Sequence, residues 1–259
     1  MKGYYEFETH WKIAADISSY ELARYKSGAD LIPDDVVSLV DIGCGNGGFL
    51  ASIERQIGRD IKLQGFERSA SAISNKLCKT EIVKGDIDRL DFGNQKVDLV
   101  SCLAVLEHLP EALEASLIGK MIDLTSKYIL IDVPYKERRV RVACPSCGCR
   151  FDPHLHLRSY AISDIEKRFP AFKVKKKLVL SGPESLLTIL IRFFRIEVSA
   201  SLGGPKICPQ CGTNSKEVLD SAEVGNRGER YDARLKSLLK KIQPKFILKR
   251  EVFLLLEKI

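Results

Sequence analysis

Four cysteines in two short motifs carry the clearest chemical signal in this sequence of 259 residues. The motifs are Cys-Pro-Ser-Cys-Gly at 144–148 and Cys-Pro-Gln-Cys-Gly at 208–212. Two thiolates three positions apart can bind one tetrahedral ion, and the glycine lets backbone N–H groups turn toward sulfur. Two such motifs supply a closed structural zinc site. The predicted ligands are Cys144, Cys147, Cys208 and Cys211.

The residues around these motifs leave alternatives for the ligand set. One Cys-x-x-Cys alone can be a redox pair, but two copies with the same proline and glycine favour zinc. A disulfide is disfavoured because we expect a cytoplasmic protein, since the N-terminus lacks the apolar core of a secretion signal. Cys149, His154 or His156 could replace one of the four thiolates.

A glycine-rich stretch after an apolar run is the second chemical feature. Residues 36–49 read VVSLVDIGCGNGGF, which predicts a buried strand, a tight turn and the start of a helix. Glycines let the backbone approach a ligand closely, and the helix N-terminus offers free N–H groups beside it. The stretch therefore suits a nucleotide-like cofactor. A tight turn without a ligand is the alternative.

Acidic residues follow at the ends of later predicted strands. The run 61–67 ends at Glu67, where a carboxylate can accept hydrogen bonds from a ribose diol. The run 81–83 leads to Asp86, and the run 97–103 is followed by Ala-Val-Leu-Glu-His. Because the carboxyl ends of parallel strands meet at one edge of a sheet, these residues are expected near one site.

This ordered set resembles the class I S-adenosylmethionine-dependent methyltransferases, in particular the ubiquinone and menaquinone methyltransferase branch. The resemblance covers about residues 36–135, and its first motif is Asp-Ile-Gly-Cys-Gly-Asn-Gly at 41–47. It implies that this loop passes under the methionine part of the cofactor, that Glu67 binds the ribose and that Asp86 faces the adenine amine. The GxGxG spacing argues against a dehydrogenase, whose fingerprint is GxGxxG. The implied cofactor-binding residues are Asp41, Gly43, Cys44, Gly45, Glu67, Arg68, Asp86, Ile87, Cys102 and Leu103.

The elements that must position these residues alternate along the chain. Strands are predicted at 37–42, 61–67, 81–84, 97–103 and 128–133, with helices near 47–57, 69–78 and 111–126. Such alternation predicts an α/β fold with a parallel sheet and helices on both faces. The resemblance adds a strand near 172–180 and an antiparallel one near 250–258. The result is a Rossmann-like, seven-stranded methyltransferase sheet of order 3-2-1-4-5-7-6 with a small zinc-binding lobe.

Four parts are expected in the chain. Residues 1–35 form an N-terminal helical cap, in which His10 and Trp11 are candidates for an acceptor pocket. The others are a cofactor-binding core at 36–135, a zinc-knuckle and helical lobe at 136–249 that includes the sixth strand, and the final strand of the core at 250–259.

Methyl transfer from a sulfonium is an in-line displacement, so the enzyme mainly aligns the acceptor and excludes water. An oxygen acceptor also needs a base, for which His108 after the fourth strand is the first candidate. The alternative for His108 is a role in holding the loop. His154 and His156 are further candidates, and their alternative is support of the zinc site.

Charge is unevenly divided along the chain. Residues 1–134 hold 15 Lys+Arg against 21 Asp+Glu, whereas residues 135–259 hold 26 against 13. An anionic partner is therefore expected in the C-terminal half, with a merely basic surface as the alternative. Residues 184–196 are almost wholly apolar after Glu184 and Ser185, except for Thr188, Arg192 and Arg195. They favour a buried or dimer-forming helix over one that contacts a membrane surface.

The sequence thus predicts an S-adenosylmethionine-dependent methyltransferase that acts on a small acceptor, anionic or lipid- or sugar-linked, most readily on oxygen. One alternative is an RNA or protein methyltransferase that docks through its basic zinc lobe. Another is a non-catalytic protein that binds the cofactor and recruits a partner. Against an amino-group methylase of nucleic acid, no Asn/Asp-Pro-Pro-aromatic motif follows the fourth strand.

Overall fold

The computed structural model describes residues 18–139, 141–194, 198–199, 207–213 and 245–259. Residues 1–17 of the predicted N-terminal cap, including His10 and Trp11, lie outside these residues. The strands are β1 (Ser38–Ile42), β2 (Lys62–Glu67), β3 (Ile82–Lys84), β4 (Val97–Leu103), β5 (Thr125–Pro134), β6 (Val142–Ala143), β7 (Arg150–Phe151), β8 (Phe172–Ser185), β9 (Val198–Ser199) and β10 (Lys245–Lys258). The helices are α1 (Ser19–Ala29), α2 (Gly48–Gln56), α3 (Ala70–Ser74), α4 (Glu111–Leu124), α5 (Ile162–Arg168) and α6 (Leu186–Phe194), and a 3₁₀ helix covers Leu106–His108.

The main sheet has seven strands in the order β3-β2-β1-β4-β5-β10-β8. The pairs β1–β2, β1–β4, β2–β3 and β4–β5 are parallel, and β10 runs antiparallel to β5. This order confirms the predicted seven-stranded methyltransferase sheet. The carboxyl ends of β1, β2, β3 and β4 consequently lie along one edge, where a ligand can meet residues from several strands.

Side chains along the buried strands point alternately to the two faces of the sheet, so a hydrophobic core lies on each face. In β1, Val40 and Ile42 belong to one buried cluster and Leu39 belongs to the other, as the period of two in a strand requires. Helix α4 packs on the first side through Leu117 and Met121. The second side takes apolar residues of α2. A sheet buried on both faces holds its strand ends rigidly, which suits a site built there.

The chain divides into two compact units. The core unit contains residues 5–136, 157–180 and 250–259, and the small unit contains residues 1–4, 137–156 and 181–249. A three-stranded sheet of order β7-β6-β9 lies in the small unit. The predicted lobe at 136–249 is therefore wrong for residues 157–180, because α5 and most of β8 pack with the core unit.

Candidate functional site

The turn between β1 and α2 needs glycine for two separate reasons. Gly43 has a φ of +73°, and Gly45 also has a positive φ. A Cβ at Gly43 would lie 2.6 Å from Cγ2 of Val105, so no side chain fits there without movement. The Gly43 N–H donates to the carbonyl oxygen of Phe66 at 2.8 Å, which ties this turn to β2. At Gly43 and Gly45 the backbone is therefore open to close approach by a ligand at the edge of the sheet.

Glu67, the last residue of β2, is bonded directly to that turn. Its Oε2 accepts the Gly45 N–H at 3.0 Å, and its Oε1 accepts the Ser69 N–H at 2.8 Å. Burial raises the pKa of Glu67, and these backbone donors oppose that rise. The backbone N–H groups of Gly45, Arg68 and Ser69 thus use part of the about four acceptor positions of this carboxylate. The predicted ribose-binding residue is therefore held in place before any ligand arrives.

Asp41 is buried beside the same turn. The Ser101 hydroxyl on β4 donates to Oδ1 of Asp41 at 2.7 Å. Burial raises the pKa of Asp41 to about 7, and the Ser101 hydrogen bond opposes that rise. The carboxyl group therefore changes its protonation state near neutral pH, which is unusual for an aspartate.

The predicted adenine-contacting residues follow β3 at the same edge. The Gly85 N–H donates to the carbonyl oxygen of Glu67 at 2.9 Å, and Asp86 comes directly after it. Asp86, Ile87 and Arg68 are all half-buried. Ile87 packs against the core cluster that contains Val40. The structure thus brings Asp41, the glycine turn, Glu67 and Asp86 to one edge of the core unit.

Three other predicted cofactor-binding residues, Cys44, Cys102 and Leu103, have buried side chains. Cys102 has no exposed surface and lies in one core cluster, whereas Cys44 and Leu103 lie in the other. The Cys102 side chain is therefore part of the core, and this residue can meet a ligand through its backbone alone. Burial also raises the pKa of the Cys44 and Cys102 thiols well above their usual range, as expected for inert core cysteines.

A buried ion pair at this sheet edge was not predicted from the sequence. Arg24 on α1 donates to Oδ2 of Asp132 on β5 at 2.6 Å, and both side chains are buried. The Asp132 carbonyl accepts the N–H of Ala104, which follows β4 and has a φ of +54°. The available signal was an aspartate inside the apolar strand Tyr-Ile-Leu-Ile-Asp-Val. The pair fastens α1 beside the strand ends.

His108 lies in the 3₁₀ helix that follows β4. Its Nε2 is 3.8 Å from Oε1 of Glu107, and its side chain is 16% exposed. The carbonyl oxygen of Glu107 accepts the N–H of Leu157 at 2.7 Å. The neighbouring carboxylate can stabilise a protonated imidazole, as a general base requires.

The small unit brings the four predicted zinc ligands together. Sγ of Cys144 lies 3.7 Å from Sγ of Cys211, and Sγ of Cys147 lies 3.6 Å from Sγ of Cys208. All four sulfur atoms lie within 4.8 Å of one another. A tetrahedral ion with bonds of about 2.3 Å places its sulfur ligands about 3.8 Å apart. The cysteines therefore fit one zinc ion.

Both knuckles have the backbone geometry that this chemistry needs. Gly148 and Gly212 have φ of +70° and +72°, and their N–H groups donate to the carbonyls of Cys144 and Cys208. The Thr213 side chain lowers the pKa of Cys211 to about 6, whereas burial raises the pKa of Cys208 to about 12. A dication would offset the cost of ionising all four thiols.

Cys149, His154 and His156 are not members of the four-sulfur group. Nδ1 of His156 lies 2.5 Å from Oε2 of Glu137, and Oδ1 of Asp152 accepts the backbone N–H groups of both histidines. The two imidazole rings stack with centroids 5.4 Å apart. These contacts hold the loop that follows the first cysteine motif, and the alternative, support of the zinc site, stays a prediction. The catalytic role of either histidine stays a prediction.

Residues of the core unit match known proteins. Residues 39–127, about a third of the chain, match the family model described as a methyltransferase domain. The small RNA 2'-O-methyltransferase of Arabidopsis thaliana is 32% identical over 115 residues, which cover 39% of this chain and 12% of that protein. The carboxy-S-adenosyl-L-methionine synthase of Wolinella succinogenes is 29% identical over 137 residues, which cover 46% of this chain and 56% of that protein. The chain thus spans about an eighth of one curated relative and about half of the other.

A solved structure extends the comparison to nearly the whole chain. The S-adenosylmethionine-dependent methyltransferase of Archaeoglobus fulgidus has a TM-score of 0.52 and 16% identity, and the match covers 96% of this chain and 94% of that one. At this identity the likeness concerns the fold. The core unit therefore has the methyltransferase fold, and residues 39–127 within it match a methyltransferase domain.

Proposed function

We propose that this chain, which carries a class I methyltransferase domain, transfers a methyl group from S-adenosylmethionine to a small anionic or lipid- or sugar-linked acceptor. One observation carries the proposal: Glu67, a buried carboxylate at the end of β2, accepts the Gly45 N–H of the glycine turn and so holds an acceptor suited to a ribose diol beside that turn. A turn needed only for folding has no use for a buried acid held in this way.

The residues at the strand edge fit S-adenosylmethionine. The glycine turn would lie under its methionine part, Glu67 would bind its ribose hydroxyls, and Asp86 would accept from its adenine amine. When bound, the cofactor supplies an electrophilic methyl group on a sulfonium. The buried strand ends and the Arg24–Asp132 pair keep this edge rigid and limit the access of water.

The proposed acceptor atom is oxygen. His108 would take the proton from the acceptor hydroxyl, and the carboxylate of Glu107, 3.8 Å from its Nε2, would stabilise the resulting imidazolium. The anionic character of the acceptor is inferred from charge. The small unit carries 17 Lys+Arg against 9 Asp+Glu, a net of +8, which exceeds the +7 of the whole chain.

We further propose that Cys144, Cys147, Cys208 and Cys211 bind a structural zinc ion. Their sulfur separations of 3.6 and 3.7 Å match a tetrahedral ion that has no open position for a substrate. The ion would join two knuckles that are 60 residues apart in sequence, and would so hold the small unit together.

RNA methylation is the second candidate function. The Arabidopsis relative is described as a small RNA 2'-O-methyltransferase, and the small unit is strongly basic. An RNA substrate would require binding that falls steeply with salt, because each phosphate contact releases a counterion. Binding of the chain to RNA at moderate salt would therefore favour this candidate over a small acceptor.

Calorimetric titration with S-adenosylhomocysteine tests the proposal. Wild type should bind, and Glu67→Gln should weaken binding roughly tenfold to a hundredfold, because a charged hydrogen bond to a ligand contributes about 1.5–3 kcal/mol. Glu166→Gln, at an exposed position of α5, is the matched control and should bind as wild type does. No binding by a folded wild-type protein, or equal binding by Glu67→Gln, would contradict the proposed cofactor site.

A further inference from the structure

The small unit exposes an apolar helix face. In α6, Leu186, Leu190, Phe193 and Phe194 are exposed, and the two phenylalanines are 59% and 64% accessible. At 100° per residue these four positions fall within an arc of about 100°, so they form one continuous stripe, called here the apolar face. The surface of a water-soluble protein rarely exposes four large apolar side chains side by side. An apolar stripe of this kind therefore indicates a surface that binds a partner.

A second exposed apolar segment lies in the same unit. Phe246, Ile247 and Leu248 at the start of β10 are 45%, 71% and 37% accessible. In the sequence this triplet is bracketed by Lys245 and Lys249. Strand β10 is the sheet neighbour of β8, whose last residue, Ser185, directly precedes α6. The small unit thus exposes two apolar segments, and one of them has a lysine at each end.

Positive charge accompanies the apolar face. The guanidinium of Arg138 lies 5.0 Å from the centroid of the Phe193 ring. Arg138 belongs to the basic run 136–141, and the small unit has a net charge of +8 whereas the core unit has −1. Large apolar side chains beside arginine and lysine are typical of protein surfaces that contact a lipid bilayer, where hydrocarbon lies next to phosphate.

We propose that the small unit docks on an anionic lipid bilayer through the apolar face and the 245–249 segment. No helix of the described residues is long and apolar enough to cross a membrane, so the contact is peripheral. The leucines and phenylalanines enter the boundary between headgroups and acyl chains, and Arg138 and Lys249 meet lipid phosphates. An RNA partner accounts for the charge but not for an exposed stripe of leucine and phenylalanine, and a second copy of this chain, also basic, would be repelled.

This inference does not rest on the proposed methyl transfer. The test is flotation of the whole 259-residue chain, purified with zinc, with vesicles of phosphatidylcholine alone and of phosphatidylcholine mixed with phosphatidylserine. We expect flotation with the mixed vesicles that weakens as salt rises. Phe193→Ser with Phe194→Ser should lower the partition coefficient roughly tenfold or more, and Lys245→Gln or Lys249→Gln should lower it about fivefold each.

The matched control changes exposed apolar residues of the core unit, Val37→Ser with Ile259→Ser, and should float as wild type does. Every variant should retain S-adenosylhomocysteine binding and metal content, which separates a lost docking surface from a misfolded protein or a failed cofactor proposal. The inference is overturned by absence of flotation at low salt, by equal flotation with pure phosphatidylcholine, or by wild-type flotation of the double phenylalanine variant. It is likewise overturned if the protein binds single-stranded RNA or forms a dimer through these phenylalanines but floats with neither vesicle.

Discussion

At the scale of single residues, Gly43 shows how the cofactor turn constrains the sequence. A left-handed φ costs a residue with a Cβ about 1 kcal/mol, and the contact of 2.6 Å with Val105 adds overlap that costs roughly 1–3 kcal/mol more. We therefore expect Gly43→Ala to lower the free energy of unfolding by about 2–4 kcal/mol in urea denaturation.

Gly93→Ala separates the two causes, because Gly93 also has a positive φ but a Cβ there would meet nothing within 4 Å. It should cost about 1 kcal/mol. In a Val105→Ala background, Gly43→Ala should cost less than in wild type. If Gly43→Ala and Gly93→Ala have equal effects, the close approach of Val105 is not the constraint.

Asp41 makes stability depend on pH. Burial raises its pKa from 3.8 to about 7, so the folded state holds this proton more tightly than the unfolded state does. The favourable contribution is complete below the unfolded value of 3.8 and is lost as pH rises to about 7. The stability advantage of Asp41→Asn over wild type should therefore grow by roughly 3 kcal/mol between about pH 5 and about pH 8. A stability difference that is the same at both pH values would show that Asp41 ionises normally.

The sequence predicted the residues whose chemistry is local and missed those whose partners are distant. The turn glycines, Glu67 and the cysteine knuckles sit in short motifs, so their backbone geometry follows from neighbouring residues. The Arg24–Asp132 pair joins positions 108 residues apart, and no local sequence pattern predicts it. Likewise, Cys102 lies next to the site in sequence, but the alternation of β4 turns its side chain into the core.

At the scale of elements, the two knuckles should act as one unit. Cys208→Ser removes one of four ligands, so we expect the metal content of the purified protein to fall from about one zinc per chain toward zero. Cys149→Ser is the control, since Cys149 lies outside the four-sulfur group, and it should keep its zinc. Elemental analysis of both variants measures this. Full metal content in Cys208→Ser, or its loss in Cys149→Ser, would contradict the ligand set.

The strands were predicted better than the helices, and α3 shows why. Apolar spacing predicted a helix at 69–78, but α3 ends at Ser74. The Leu77 N–H donates to the carbonyl oxygen of Asn46 at 2.8 Å, whereas a continued helix would need it to donate to the carbonyl of Ile73. A tertiary contact of this kind outweighs helix propensity, which is a weak preference. The strand order was predicted from the resemblance to the methyltransferases, because members of one fold connect their strands in the same order.

At the scale of the whole molecule, charge and chemistry separate into the two units. The predicted cofactor-binding residues all lie in the core unit, which has a net charge of −1, and the zinc ligands and both exposed apolar segments lie in the small unit, which has +8. The two proposals together assign binding of the methyl donor to the core unit and binding of a partner to the small unit. The sequence showed the charge asymmetry, but it did not show that residues 157–180 return to the core.

The separation predicts how the protein responds to metal removal. The described residues of the small unit form one small buried cluster beside the proposed zinc site, whereas the core unit has apolar clusters on both faces of its sheet. A chelator should therefore raise amide hydrogen exchange in residues 137–156 and 181–249 and leave 36–134 protected. S-adenosylhomocysteine should still bind within about twofold of its original affinity, because Asp41, Glu67 and Asp86 all lie in the core unit. Loss of protection in both ranges together would mean that the zinc ion stabilises the entire chain and that the two units fold as one.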